Sequence, residues 1–220
     1  VIGAVNRSVP ENTIAIGAAG SMPGELHKLW RVLDQNTYHM EYGFSCMGYE
    51  VSAGIGVNLA APNKPNVIFA GDGSYLMMNS ELATAAMMGI SMTLVLTNNR
   101  GYGCINRLQK ASGGTEFNNL FSDSKFENNI EIDYVSHAKS MGAEAIQVSD
   151  ITELEREVKN AISKKGVNVI VIDTDPNIST EEGGAWWDVA IPETFIDNSK
   201  SDLSKKYFEA RTIQDKGSKW

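Results

Sequence analysis

Short apolar runs alternate along this chain with stretches of helical period. Ile14-Ala15-Ile16, Asn66 to Ala70, Met92 to Thr97, Ala145 to Val148 and Val167 to Ile172 read as strands, flanked largely by Gly, Asn, Asp and Ser. Between them, Ser80 to Met88 places Leu82, Ala85 and Ala86 at i, i+3 and i+4, with Gly89 as a stop. Asp133 to Met141 reads as a helix closed by Gly142, and Ser149-Asp150 can cap a helix over Glu153 to Ser163. Strands alternating with helices predict an α/β fold, a three-layer α/β/α arrangement with a mainly parallel central sheet. The β-branched run Val167 to Ile172, interrupted only by Asn168, fits a strand covered on both faces.

Two regions lack a period. Asn106 to Asn129 is rich in Gly, Ser and Asn and predicts a long loop, mobile without a ligand. Pro176 to Trp220 is polar except for Ala185-Trp186-Trp187, an apolar island expected to face a missing interface. The chain therefore divides into a domain over residues 1–175 and a C-terminal extension over 176–220, packing on that domain or on a partner domain. It begins at Val1, which suggests a piece of a longer protein.

Composition narrows the function classes. A chain of 220 residues can bury a core without a disulfide or metal staple. With 19 Lys+Arg against 27 Asp+Glu, and no basic stripe, it does not read as a nucleic-acid binder. A phosphate ligand stays open, because backbone N–H groups and a metal can hold one without net positive charge. The most apolar stretch, Leu82 to Leu96, contains Thr84, Ser91 and Thr93 and is too short for a bilayer. Cys46 and Cys104 form no CxxC pair, so no zinc or disulfide framework is legible, and a cytoplasmic location is expected.

The chemistry concentrates at Gly71-Asp72-Gly73-Ser74. Alone, Gly-Asp-Gly is an ordinary turn signature. Here it ends a strand, and ligands of open α/β sheets sit at strand carboxyl ends. The next strand ends in Asn98-Asn99. If the two strands are neighbours, Asp72 and one of the two asparagines meet at one edge. A carboxylate plus neutral oxygens, completed by phosphate and water, suits Mg²⁺.

Gly71-Asp72-Gly73 through Asn98-Asn99 resembles the thiamine-diphosphate binding motif, and Gly71 to Gly103 as a whole resembles the acetolactate synthase and pyruvate oxidase group. The resemblance extends from about Val1 to Thr174. It implies thiamine diphosphate and Mg²⁺ as cofactors. It assigns the metal to Asp72, Asn99 and the carbonyl of Gly101, and the diphosphate to Gly73 and Ser74. Tyr102 and Gly103 would line the same pocket. Glu41 to Tyr49 is similar to the segment that holds the aminopyrimidine in this family, with Met47 as the apolar wedge and the Ser45 carbonyl facing the amino group. Gly20 and Ser21 fall at a further diphosphate contact, where relatives often carry Gln or His. The family's activating Glu lies in a separate N-terminal pyrimidine-binding module of a partner subunit, so a homodimer or homotetramer is implied, and the fragment alone is expected to be inactive.

Gly24 to Arg31 and Gly183 to Val189 resemble the trihydroxycyclohexane-dione hydrolase branch of myo-inositol catabolism. That implies hydrolytic opening of a cyclic 1,2-diketone to 5-deoxyglucuronate. A decarboxylating carboligase of the acetolactate synthase kind would share every cofactor residue, and a non-catalytic module would keep only the fold. His27 is a candidate acid/base, because imidazole titrates near neutrality. Tyr102 is a second catalytic candidate by its place after the metal loop. His39 could lie near the cleft, His137 reads as structural, and Cys104 reads as inert packing.

Overall fold

The computed structural model of the chain describes residues 1–112, 114–128, 130–180, 191 and 201–217. Its frame is a sheet of six parallel strands: β1 (Ile14–Gly17), β2 (Tyr38–Met40), β3 (Asn66–Gly71), β4 (Met92–Asn98), β5 (Glu144–Val148) and β6 (Val167–Asp173). Their order is β2-β1-β3-β4-β6-β5. Side chains alternate across a strand, and here both sets are apolar. Ile68, Ala70, Leu94, Leu96, Val169 and Val171 face one layer, built from α3 (Tyr49–Ala60), α4 (Asp72–Met77), α5 (Glu81–Met87) and α7 (Tyr134–Ser140). Val67, Phe69, Val95, Ile170 and Ile172 face the other, built from α1 (Ile2–Ser8), α2 (Ser21–Leu29) and α8 (Ile151–Ile162). This is the expected three-layer α/β/α arrangement. Each fully buried Val, Leu, Ile or Phe contributes about 1.5–3 kcal/mol, so the sheet is held mainly from its two faces.

Local signals set several helix starts. Asp133 accepts from Ser136 N at 2.9 Å and caps α7, and Asp150 accepts from Glu153 N at 2.8 Å and caps α8. Elements without a clear period are β2, α1, α3 and α4. In α3, Gly54 lies under Ile68, and a Cβ there would come within 2.3 Å of the Ile68 Cδ1 atom. The helix is read poorly from sequence because close approach to the sheet selects small residues over good helix formers.

The expected loop over Asn106 to Asn129 needs correction. Its first residues belong to α6 (Gly103–Ala111), and a 3-10 turn covers Phe121–Asp123. Ile105 and Leu108 of α6 are exposed, so the helix shows no buried apolar stripe to betray it. Between helix and turn, the chain returns to pair Leu120 with Gly101 in an antiparallel bridge.

The extension also carries a helix, α9 (Ser201–Gly217), that sequence reasoning left without an element. Residues up to Thr180 lie on the domain. Arg107 Nη1 donates to Pro176 O at 2.6 Å, and Thr180 Oγ1 meets Glu25 Oε1 at 2.9 Å and Lys28 Nζ at 3.0 Å. Trp186 and Trp187 fall outside the described residues. Among those residues no helix is long and apolar enough to cross a membrane.

Candidate functional site

The strand order reverses between β1 and β3, since β1 connects onward to β2 on one side and pairs β3 on the other. Connections leave that point in opposite directions and open a crevice at the carboxyl edge. The loops after β1, β3 and β4 meet there. Gly71 pairs with Thr97 in register, which brings Asp72 beside the end of β4.

Asp72 is 1% exposed. Its Oδ1 accepts from Asn99 N at 3.3 Å and its Oδ2 from Gly101 N at 2.8 Å. Burial pushes the carboxyl above the ordinary aspartate range, while the N–H groups of Gly101, Asn99, Asp72 and Gly73 pull it back. The structure also separates the two asparagines. Asn98 turns toward β6, where its Nδ2 donates to Asp173 Oδ1 at 2.9 Å and its Oδ1 accepts from Arg100 N at 3.2 Å. Arg100 pairs with Asp173 at 2.9 Å and Glu131 at 3.2 Å, away from Asp72.

Asn99 turns the other way. One terminal atom of its amide lies 2.7 Å from Gly101 O and 3.2 Å from Asp72 Oδ1. If that atom is nitrogen, it donates to both oxygens. If it is oxygen, three oxygens converge, an arrangement that a cation would reconcile. Adjacent ligands in an oxygen octahedron at 2.0–2.1 Å from Mg²⁺ are about 2.9 Å apart, close to both spacings. Turning one amide over therefore converts a self-satisfied cluster into a set of metal ligands. The residues present fit a hard divalent cation: one carboxylate, one amide and one backbone carbonyl.

The turn that aims this carbonyl is conformationally demanding. Arg100 sits at φ 59° and Gly101 at φ 144°. A Cβ on Gly101 would come within 2.4 Å of Asn119 O and 2.8 Å of Leu120 Cα. Only glycine meets both requirements. Gly73 is likewise covered, by Tyr102, whose ring carbon would stand 2.6 Å from a Cβ there, and by Met47, whose methyl would stand 3.6 Å away. Met47, Gly73 and Tyr102, named separately from the sequence, thus share one wall.

Ser74 is placed differently from expectation. Its Oγ is buried, donates to the Glu50 carboxylate at 2.7 Å and accepts from Gly48 N at 2.8 Å. Its hydroxyl is committed, which leaves the backbone N–H as its means of meeting a phosphate. Gly20, at φ 82°, precedes α2, and Ser21 Oγ accepts from Arg107 Nη2. Ser45 is exposed at φ 55°, with its Oγ donating to Ala18 O at 3.4 Å. Gly103 opens α6 against Asn99, whose side-chain amide would lie 3.0 Å from a Cβ there.

Each of the three histidines is hydrogen-bonded to a tyrosine. His27 is exposed, with Nδ1 3.0 Å from Tyr38 Oη and its ring edge-on to Tyr42. Burial raises the Tyr38 phenol to about 12. His39 bonds Tyr49 Oη at 2.7 Å, and His137 bonds Tyr75 Oη at 2.8 Å. Burial pushes the Cys104 thiol up, as inert packing requires. Sequence reasoning missed Glu50, 1% exposed and central to the loops; a Glu in a helical segment carries no signal of burial.

A parallel α/β sheet that gathers a carboxylate, an amide and a carbonyl beside glycine-rich turns defines a metal-assisted diphosphate-binding domain. The model for "thiamine pyrophosphate enzyme, C-terminal TPP binding domain" matches residues 18–172, and the chain belongs to this family. Its cofactors are accordingly thiamine diphosphate and Mg²⁺. The chain is 38% identical over 217 residues to the 3D-(3,5/4)-trihydroxycyclohexane-1,2-dione hydrolase of Clostridium tetani, covering 96% of this chain and 33% of that protein. It is 38% identical over 199 residues to the enzyme of the same name from Geobacillus thermodenitrificans, covering 88% and 31%. The chain thus spans about a third of the curated relatives it matches. Among solved structures, a thiamine diphosphate-dependent 4-hydroxybenzoylformate decarboxylase from Rhodococcus jostii superposes with a TM-score of 0.70 at 22% identity, over 79% of this chain and 32% of that one. Benzoylformate decarboxylase from Polynucleobacter necessarius gives 0.70 at 19%, over 81% and 33%. These two likenesses concern the fold.

Proposed function

We propose that this chain is the C-terminal cofactor-binding domain of a thiamine-diphosphate- and Mg²⁺-dependent hydrolase. Its substrate would be a trihydroxycyclohexane-1,2-dione, opened during myo-inositol degradation. The convergence of Asp72, Asn99 and the Gly101 carbonyl carries the cofactor part of this reading. The substrate part is supported by relatives of that name, similar over nearly the whole chain.

The bound thiazolium supplies an electron sink for the carbon–carbon bond that breaks. The chain's own residues bind and orient. Asp72, Asn99 and Gly101 hold the cation. Gly73, the Ser74 N–H, Gly20 and Ser21 take the diphosphate, with Gly71 and Gly103 keeping its approach open. Met47 wedges the cofactor, Ser45 offers its carbonyl to the pyrimidine, and Tyr102 covers Gly73. His27, paired with Tyr38, can hold or release a proton at Nε2 toward a substrate hydroxyl. The pyrimidine-binding domain lies in the remaining two thirds of the protein, contributed by a partner subunit of a cytoplasmic homo-oligomer.

Calorimetric titration of the full-length protein with thiamine diphosphate, with and without Mg²⁺, tests the site beside an Asp72→Ala variant. Binding that needs both Mg²⁺ and Asp72 is expected; metal-independent binding, or none by folded protein, would refute it. Turnover of the cyclic dione but not of pyruvate is expected, and the reverse would make the enzyme a carboligase.

A further inference from the structure

We infer that Glu50 is a positioning residue that locks together three of the segments that form the cofactor cradle, an inference that rests on the cofactor reading above. Its carboxylate is 1% exposed, and the groups bonded to it are donors. Ala19 N donates to Oε1 at 3.3 Å, from the loop leading into Gly20 and Ser21. Gly48 N donates to Oε2 at 3.0 Å, from the turn that carries Ser45 and Met47. Ser74 Oγ donates to the carboxylate at 2.7 Å, from the turn that carries Asp72 and Gly73. The Gly48 N–H also reaches Ser74 Oγ at 2.8 Å, which closes the network.

One acceptor thus fixes three segments, each next to residues assigned to the diphosphate, the pyrimidine or the metal. Stability alone does not account for the choice. A buried carboxylate is costly to desolvate, and a well-packed apolar side chain serves a core better. What the carboxylate does, and an apolar group cannot, is impose a common geometry on two backbone N–H groups and a hydroxyl. Gly48 shows how tight that geometry is: it sits at φ 89°, and a Cβ there would stand 3.2 Å from the Met78 Cβ atom and 3.3 Å from the Met77 Cβ atom. The wedge residue Met47 is therefore held on one side by the Gly48 turn and on the other by Gly73.

Glu50→Gln tests this. The amide keeps the shape but replaces one acceptor oxygen with a donor. In either orientation its –NH₂ then faces the N–H of Ala19 or that of Gly48, and one loop is released. In the full-length protein, well below its melting temperature, the affinity for thiamine diphosphate with Mg²⁺ is expected to fall at least about tenfold, equivalent to about 1.4 kcal/mol. Ser74→Ala leaves the carboxylate and both N–H bonds in place. It is expected to weaken binding by about threefold, and the double variant to fall short of the product of the single effects, because the groups share one network. Leu154→Ala, in the opposite layer, lowers the melting temperature without touching the cradle and is expected to leave the affinity unchanged.

Affinity within about twofold of wild type in both cradle variants, whatever their melting temperatures, would overturn the proposal, since factors that small lie below about 0.4 kcal/mol. Equal weakening by Leu154→Ala would overturn it too, by making the effect general. If Asp72→Ala abolishes binding while Glu50→Gln does not change it, the cofactor reading stands and the role of Glu50 falls. If the wild type does not bind, the cofactor reading has failed and this inference fails with it.

Discussion

Replacing Gly101 with Ala tests the turn that aims the third oxygen of the metal cluster. Two costs arise if the backbone stays in place. A side chain at φ 144° is strained by about 1–3 kcal/mol. The new Cβ also meets Asn119 O at 2.4 Å and Leu120 Cα at 2.8 Å, backbone atoms that cannot rotate away, for about 1–3 kcal/mol more. The alternative is to lift residues 119–121 off the turn. That gives up the bonds from Tyr102 N to Asn119 O, at 2.7 Å, and from Phe121 N to Arg100 O, at 3.0 Å. Two such bonds contribute about 1–3 kcal/mol net, less than the combined cost of staying, so release wins. The expected outcome is a modest loss of global stability with a large local opening. Hydrogen exchange at the Tyr102 and Phe121 amides should accelerate by about 10- to 100-fold. Mg²⁺-dependent binding of thiamine diphosphate should weaken, because the Gly101 carbonyl loses its direction. Unchanged exchange at both amides, with unchanged metal dependence, would refute the strain and approach on which this reasoning rests.

Three further outcomes are expected. Gly73→Ala meets a side chain rather than backbone, so the Tyr102 ring swings out; stability should change by less than about 1 kcal/mol while cofactor affinity falls, checked by melting and titration together. Glu41 accepts from Phe44 N at 3.1 Å and Cys46 N at 2.6 Å, and these bonds lower its carboxyl below the ordinary range. Its support for the loop carrying Ser45 is therefore complete above the ordinary glutamate value and lost as pH falls through the lowered one, so proteolysis within 41–47 should rise there and not in Glu41→Gln, which starts without it. Arg107→Ala removes the tie from α6 to both Ser21 and Pro176 and should expose residues 174–180 to limited proteolysis, with little change in the core; unchanged cleavage would show that the Thr180 contacts suffice.

The layers and the edge where chemistry sits are legible in the order of apolar and polar residues. Apolar residues at both parities along Asn66 to Ala70 and Met92 to Thr97 demand cover on both faces, and Gly-Asp-Gly at the end of the first run marks a ligand-binding turn. These are local signals, carried by neighbours in the chain. Tertiary structure decided what depends on direction and on distant partners. Asn98 and Asn99 are the same residue type one position apart, yet successive residues point to opposite sides, so one joins Asp173 and the other Asp72. Ser74 reads as a diphosphate contact, but that its hydroxyl bonds Glu50, from another helix, is visible only in the fold. The segment Asn106 to Asn129 reads as a loop because α6 leaves its apolar residues exposed, and its return to Gly101 is a pairing between residues 19 positions apart in sequence. Periodicity records which side of an element is buried. It does not record what each buried polar group meets, because that partner is chosen only when the strands take their order.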